Sequence, residues 1–138
     1  MQDRYLFKAK RKDDGEWVFG GLSYCEKTNV YFITNMGKDH ISYIGFHQEV
    51  DSNTICQCTG LKDKNGKLIF ENDIVTYLDV YSTDSGLAEA NCVGKVVWDD
   101  ETISFQVTNR LSAESYEVLG DECSVIGNVF DNPELLEE

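Results

Sequence analysis

The chain has 138 residues, 41% hydrophobic and 12% aromatic, which suits one domain or two small, intimately packed ones. Its formal charge is −13, an excess that works against nucleic acid, because phosphate backbones are bound by cations that displace counterions. No run approaches the roughly 18 apolar residues of a membrane span, and Met1-Gln-Asp-Arg-Tyr-Leu-Phe-Lys8 lacks a leader's apolar stretch, so a soluble, cytosolic protein without a membrane partner is expected.

In Tyr5–Lys12 the alternation of Tyr5, Phe7 and Ala9 with Lys8, Lys10 and Lys12 predicts a half-buried strand. The lysines read as a solvated edge that resists unwanted pairing, or alternatively as an anion contact. Asp13-Asp14-Gly15 predicts a turn, and residues 16–24 a returning strand. Val30–Thr34 and Ile41–Phe46 predict two short strands joined by a polar connection with Gly37. Glu49–Asn53 reads as a polar break before an apolar run at Thr54–Thr59.

Asn65-Gly66 supplies the positive backbone angles of a tight hairpin between Thr59-Gly60-Leu61 and Leu68-Ile69-Phe70. Glu71-Asn72-Asp73 then interrupts the apolar pattern, with Asn72 suited to a left-handed conformation, before a strand at Ile74–Leu78. A hairpin, a sharp turn and a long strand in this order suit a small bent barrel. Leu78–Asn91 is polar enough to predict a long, mobile hairpin loop, a usual place for a binding surface.

Strands are expected at Gly94–Trp98 and Thr102–Val107, with Asp99-Asp100-Glu101 as the turn between them. That acidic triplet lacks the alternating oxygen ligands and central glycine of an EF-hand loop. Tyr116–Leu119 and Ser124–Phe130 predict strands that close the barrel. Asn132 and Pro133 open a short terminal helical turn, Glu134 favours its positive end, and Leu135 and Leu136 are available to dock. The fold class expected is mainly β: an amino-terminal β-rich subdomain over residues 1–58, packed with a small carboxyl-terminal barrel over 59–138.

Five cysteines in an odd set favour reduced thiols over a disulfide framework. Cys56 and Cys58 are the one tempting metal pair, but a structural zinc site needs two more ligands and only His40 and His47 are on offer. No metal, cofactor or catalytic residue is expected. Charge is unevenly spread: residues 1–67 carry ten cations against nine acids, a net +1, whereas residues 68–138 carry only Lys95 and Arg110 against sixteen acids, a net −14. Such a surface aids solubility, or presents a phosphate-like face to a protein that normally binds nucleic acid. Charge by itself does not separate the two.

Three function classes follow. A protein-binding accessory factor fits best, acting on a host or phage protein with a basic surface through Asp79, Asp84, Glu89, Asp99, Asp100 and Glu101, with Tyr77, Tyr81 and Trp98 as aromatic anchors or ordinary strand-core residues. A nucleic-acid binder using the barrel and the basic stretch 8–12 is second, and the acidic half opposes it. A hydrolase built on a carboxylate pair is third. A homo-oligomer is compatible with any of them.

Phe7-Lys-Ala-Lys-Arg-Lys-Asp-Asp-Gly-Glu-Trp-Val-Phe-Gly20, Gln48-Glu-Val-Asp51, Thr59-Gly-Leu-Lys-Asp-Lys-Asn-Gly66 and the Ile126-Gly-Asn…Asn132-Pro-Glu-Leu-Leu136 ending together resemble the YopX-like family of phage and prophage proteins. The resemblance spans nearly the whole chain. Asn72 stands where the family usually has Gly, and Cys58 where it usually has an aromatic. The resemblance implies a mostly β architecture with a carboxyl-terminal barrel of the SH3 type, and a gene carried by a phage or a prophage, hence the cytoplasm of a bacterial host. It implies no activity, and it carries over no catalytic residue.

Overall fold

Turn chemistry organises the first strands: Arg11 N donates to Glu16 O at 2.8 Å and Gly15 N to Arg11 O at 2.9 Å, with Gly15 at φ 74 where a side chain would be strained. The Asp14 carboxylate accepts from Glu16 N and pairs with Arg11, so this acid builds the turn. The computed structural model describes residues 5–35, 46–108, 115–117 and 120–137, with backbone alone at 35, 46, 79, 81 and 115–117. It divides after Gly60 into two units, 1–60 and 61–138. Antiparallel strands dominate both units, and the described residues contain no α-helix.

The first unit holds β1 (Phe7–Lys10), β2 (Trp17–Cys25), β3 (Val30–Asn35), β4 (Phe46–Val50) and the start of β5 (Cys56–Lys62), in the order β4-β3-β2-β1-β5. Ala9, Val18, Ile33 and Val50 form its core, with Phe7, Leu22, Tyr31 and Ile55 packed against them. Two readings of the sequence are corrected here. The strand of lysines is no edge: β1 lies between β2 and β5, with Lys8 opposite both Phe19 and Cys56. Lys8 is buried, and its ammonium stands 4.7 Å from the centre of the Trp17 ring, with that of Lys10 at 5.5 Å. An aromatic face and a long alkyl stem let a lysine occupy a central strand.

The polar break expected over Glu49–Asn53 starts two residues later than read. Glu49 and Val50 end β4, which pairs with β3, with Val50 buried opposite Tyr31 and Glu49 exposed. The break begins at Asp51, whose carboxylate accepts from Asn53 N at 3.0 Å over the 3-10 turn Ser52–Thr54. The strand expected at Ile41–Phe46 falls, up to residue 45, outside the described residues.

In the second unit, β6 (Leu68–Phe70) returns beside the end of β5. Here only Gly66 takes a positive φ, 82, where the Asn65-Gly66 reading expected two. Gly66 N donates to Asp63 O and Asp63 N to Lys67 O, so an ordinary turn followed by a left-handed glycine makes the hairpin. Asn72 takes the expected left-handed conformation, φ 70, and Asp73 accepts from Phe70 N to fix the sharp turn.

β7 (Asp73–Thr83), β8 (Gly86–Asp99), β9 (Ser104–Thr108), β10 (Ser115–Glu117) and β11 (Cys123–Asn128) follow in the order β10-β9-β8-β7-β11. Ile69, Val75, Val96, Val107 and Cys123 make the core, flanked by Tyr77, Phe105 and Val125. Among the described residues β10 and β11 do not pair, so the sheet is open in its hydrogen bonding. Pro133–Leu136 is the expected terminal turn, in 3-10 form, but the Asn132 side chain does not cap it; its Oδ1 accepts from Asn128 N at 3.3 Å instead.

Candidate functional site

The largest departure from expectation is at residues 78–91. The sequence predicts a mobile loop there, yet the chain is regular ladder: β7 and β8 pair without a break from Ile74 opposite Lys95 to Thr83 opposite Gly86, and Asp84-Ser85 alone form the turn. Thr83 Oγ1 donates to Gly86 O at 2.8 Å across that tip. The cause of the misreading is that β11 reaches only as far as Tyr77 and β9 only as far as Lys95, so among the described residues 78–91 pair only with each other. Such a two-stranded arm buries little, and a sequence reports strands mainly through burial.

The arm carries three of the six acids singled out above. Asp84 is exposed at the tip, Glu89 is exposed on β8 opposite Val80, and Asp79 sits opposite Ala90 in the ladder. It also carries apolar side chains in water that no expectation named: Leu78 is 50% exposed, Val80 51% and Leu87 77%. Alternation places Leu78, Val80, Leu87 and Glu89 on one face. The missed signal was the alternation Leu78, Val80, Ser82 on one side of the tip with Leu87, Glu89, Asn91 on the other.

The remaining acids lie at the far end of β8. Asp99 Oδ1 accepts from Glu101 N at 2.9 Å, and Asp100 Oδ1 accepts from the Trp98 indole N–H at 2.8 Å. Ile103 stands in the left-handed region at φ 54, a costly conformation for a β-branched residue, and Trp98 packs edge-on against Phe105 with ring centres 5.1 Å apart. Trp98 and Ile103 are thus presented beside Asp100 and Glu101. Ten residue steps along β8 separate Glu89 from Asp99, roughly 33 Å at about 3.3 Å per residue. The structure therefore divides the six acids between the arm, with Asp79 on β7, Asp84 in its turn and Glu89 on β8, and the turn at the far end of β8, with Asp99, Asp100 and Glu101. Of the expected aromatic anchors, Tyr77 belongs to the core, Trp98 is exposed, and the Tyr81 side chain is outside what is described.

One acid that sequence reading passed over is the best anchored. Asp63 is 5% exposed; its Oδ1 accepts from Asn65 N and Lys67 N and its Oδ2 from Val125 N, each at 2.9 Å. Burial alone would raise its pKa, but the three amides outweigh that and hold the carboxyl below its ordinary value. The nearby Cys123 thiol is pushed up, first by burial and then by the Asp63 and Asp121 carboxylates, and so stays protonated at neutral pH. Cys56 and Cys58 are buried, Cys56 Sγ donating to Thr54 O at 3.2 Å. Among the described residues no three of His, Cys, Asp and Glu gather as a metal site, and no helix is long and apolar enough to cross a membrane.

Comparison with known proteins agrees with this picture of a β-rich chain. The YopX protein family matches residues 6–137. The crystal structure of protein EF1440 from Enterococcus faecalis is similar, with a TM-score of 0.52 and 25% identity over 95% of this chain and 96% of that one. No curated protein matches the chain significantly.

Proposed function

The chain belongs to the YopX family, and we propose that it is a non-enzymatic accessory protein of phage or prophage origin that binds a basic protein in the bacterial cytoplasm. The observation that carries this reading is the charge of the second unit: residues 61–138 hold five cations against seventeen acids, and exposed acids there stand beside exposed Leu87, Trp98 and Ile103. Acids steer a basic partner and apolar side chains hold it after encounter. An SH3-like barrel arrangement of residues 61–138 is part of the same proposal, supported by the five-stranded antiparallel order and its long central hairpin.

The experiment is affinity capture from a bacterial host lysate followed by association kinetics across a salt series. Asp99→Asn/Asp100→Asn/Glu101→Gln keeps the Oδ1 acceptors that Glu101 N and the Trp98 indole use, so the fold is expected to change by no more than about 0.5 kcal/mol. Association should slow and its salt dependence should flatten. Unchanged rates would return these acids to a solubilising role. In the same preparation, DNA and RNA should show no binding at physiological salt in an anisotropy titration; tight binding that weakens with salt would favour the nucleic-acid reading instead.

A further inference from the structure

We propose that the β7–β8 arm accepts an additional strand: an extended partner segment with alternating apolar and cationic side chains pairs along the outer edge of β8 from Gly86 to Asn91. The inference rests on the basic-partner reading and specifies where and how the partner sits. A strand directs alternate backbone amides and carbonyls to its two sides. Along Gly86–Asn91 one side meets β7, and on the other no described strand is present, because β9 ends its pairing at Lys95.

Sheets normally guard such edges with lysine, proline or a bulge. Residues 78–94 contain no Lys, Arg or Pro, and the β7–β8 register runs through them without a bulge. What the arm has instead is Asp79, Asp84 and Glu89. Three acids and no cation make the arm of a second copy a repelled neighbour and a cationic strand an attracted one. Side chains on the face of Leu87 and Glu89 complete the match: an added strand lays an apolar group beside Leu87 and an ammonium or guanidinium beside Glu89, with Leu78 and Val80 extending the apolar surface on β7.

The test uses the full chain and four short capped peptides: alternating Lys/Val, alternating Glu/Val, and two Lys/Val peptides N-methylated on the backbone at either the Lys or the Val positions. The Lys/Val peptide should bind and shift the backbone amide signals of Gly86–Asn91 in NMR spectra. One N-methylated peptide should lose binding while the other keeps it, because only alternate amides bond to the edge. Leu87→Lys/Glu89→Lys should weaken the Lys/Val peptide by at least about tenfold, with circular dichroism and core amide signals unchanged. Equal binding of both N-methylated peptides, or binding of no peptide, overturns strand addition but not the basic-partner reading. Equal binding of Lys/Val and Glu/Val peptides overturns both. Shifts confined to Asp99–Glu101 overturn the placement on the arm.

Discussion

Asp63→Ala is expected to destabilise the second unit by about 3 kcal/mol, because three backbone amides lose one shared, buried acceptor. Asp63→Asn should lose less, about 1 kcal/mol: its remaining oxygen still serves Asn65 N and Lys67 N, while its amide cannot accept from Val125 N. Urea titration in a Trp17→Phe background, where Trp98 is the sole indole, reads this unit selectively. The pH dependence has a definite sign. Folding lowers the Asp63 pKa, so its stabilisation is complete above the unfolded value, near 3.8, and is lost as pH falls through the lower folded value. The gap between wild type and Asp63→Asn should therefore narrow below about pH 4. A gap that stays constant into strong acid would mean that the carboxylate is not the acceptor.

Gly94→Ala is expected to cost about 2 kcal/mol. A Cβ there would lie 2.7 Å from Thr108 O and 2.7 Å from Val107 Cγ1, both on β9, and a backbone oxygen cannot step aside as a side-chain tip can. Gly94 is also where the arm leaves the sheet, so the strain should propagate into β8. Gly21→Ala is the control: a Cβ there meets nothing within 4 Å, and removing unfolded-chain freedom should leave stability unchanged or raise it by up to about 1 kcal/mol. Urea titration in the Trp17→Phe background reads Gly94→Ala in the second unit, and titration in a Trp98→Phe background, where Trp17 is the sole indole, reads Gly21→Ala in the first. Equal effects at the two glycines would contradict the close approach of β8 and β9.

How much of this was readable beforehand depended on whether a residue's role was local. The Gly15, Gly66 and Asn72 turns were legible because positive backbone angles select particular residues over a few positions, although the number of such angles at Asn65-Gly66 was overcounted. The interior position of β1 was hidden, since a lysine strand looks like an edge until Trp17 is known to lie over Lys8 and Lys10. Asp63 was hidden for a related reason: one of its three donors is Val125, 62 residues away. The arm was mistaken for a loop because its strands are held by each other and not by a core, so its sequence shows the polarity of an exposed surface. The acids at the candidate surface were visible as charge, but their division between an arm and a distant turn is a consequence of the length of β8.

The central claim, that the acidic second unit serves a basic protein, is tested most directly by measuring the association rate of the captured host protein with wild type and with Glu89→Gln/Asp99→Asn/Asp100→Asn/Glu101→Gln across a salt series. The account predicts a wild-type rate that falls steeply as salt rises, and a variant that associates slowly with little salt dependence. A wild-type rate that is indifferent to salt, or a captured partner whose binding surface is acidic, would contradict it.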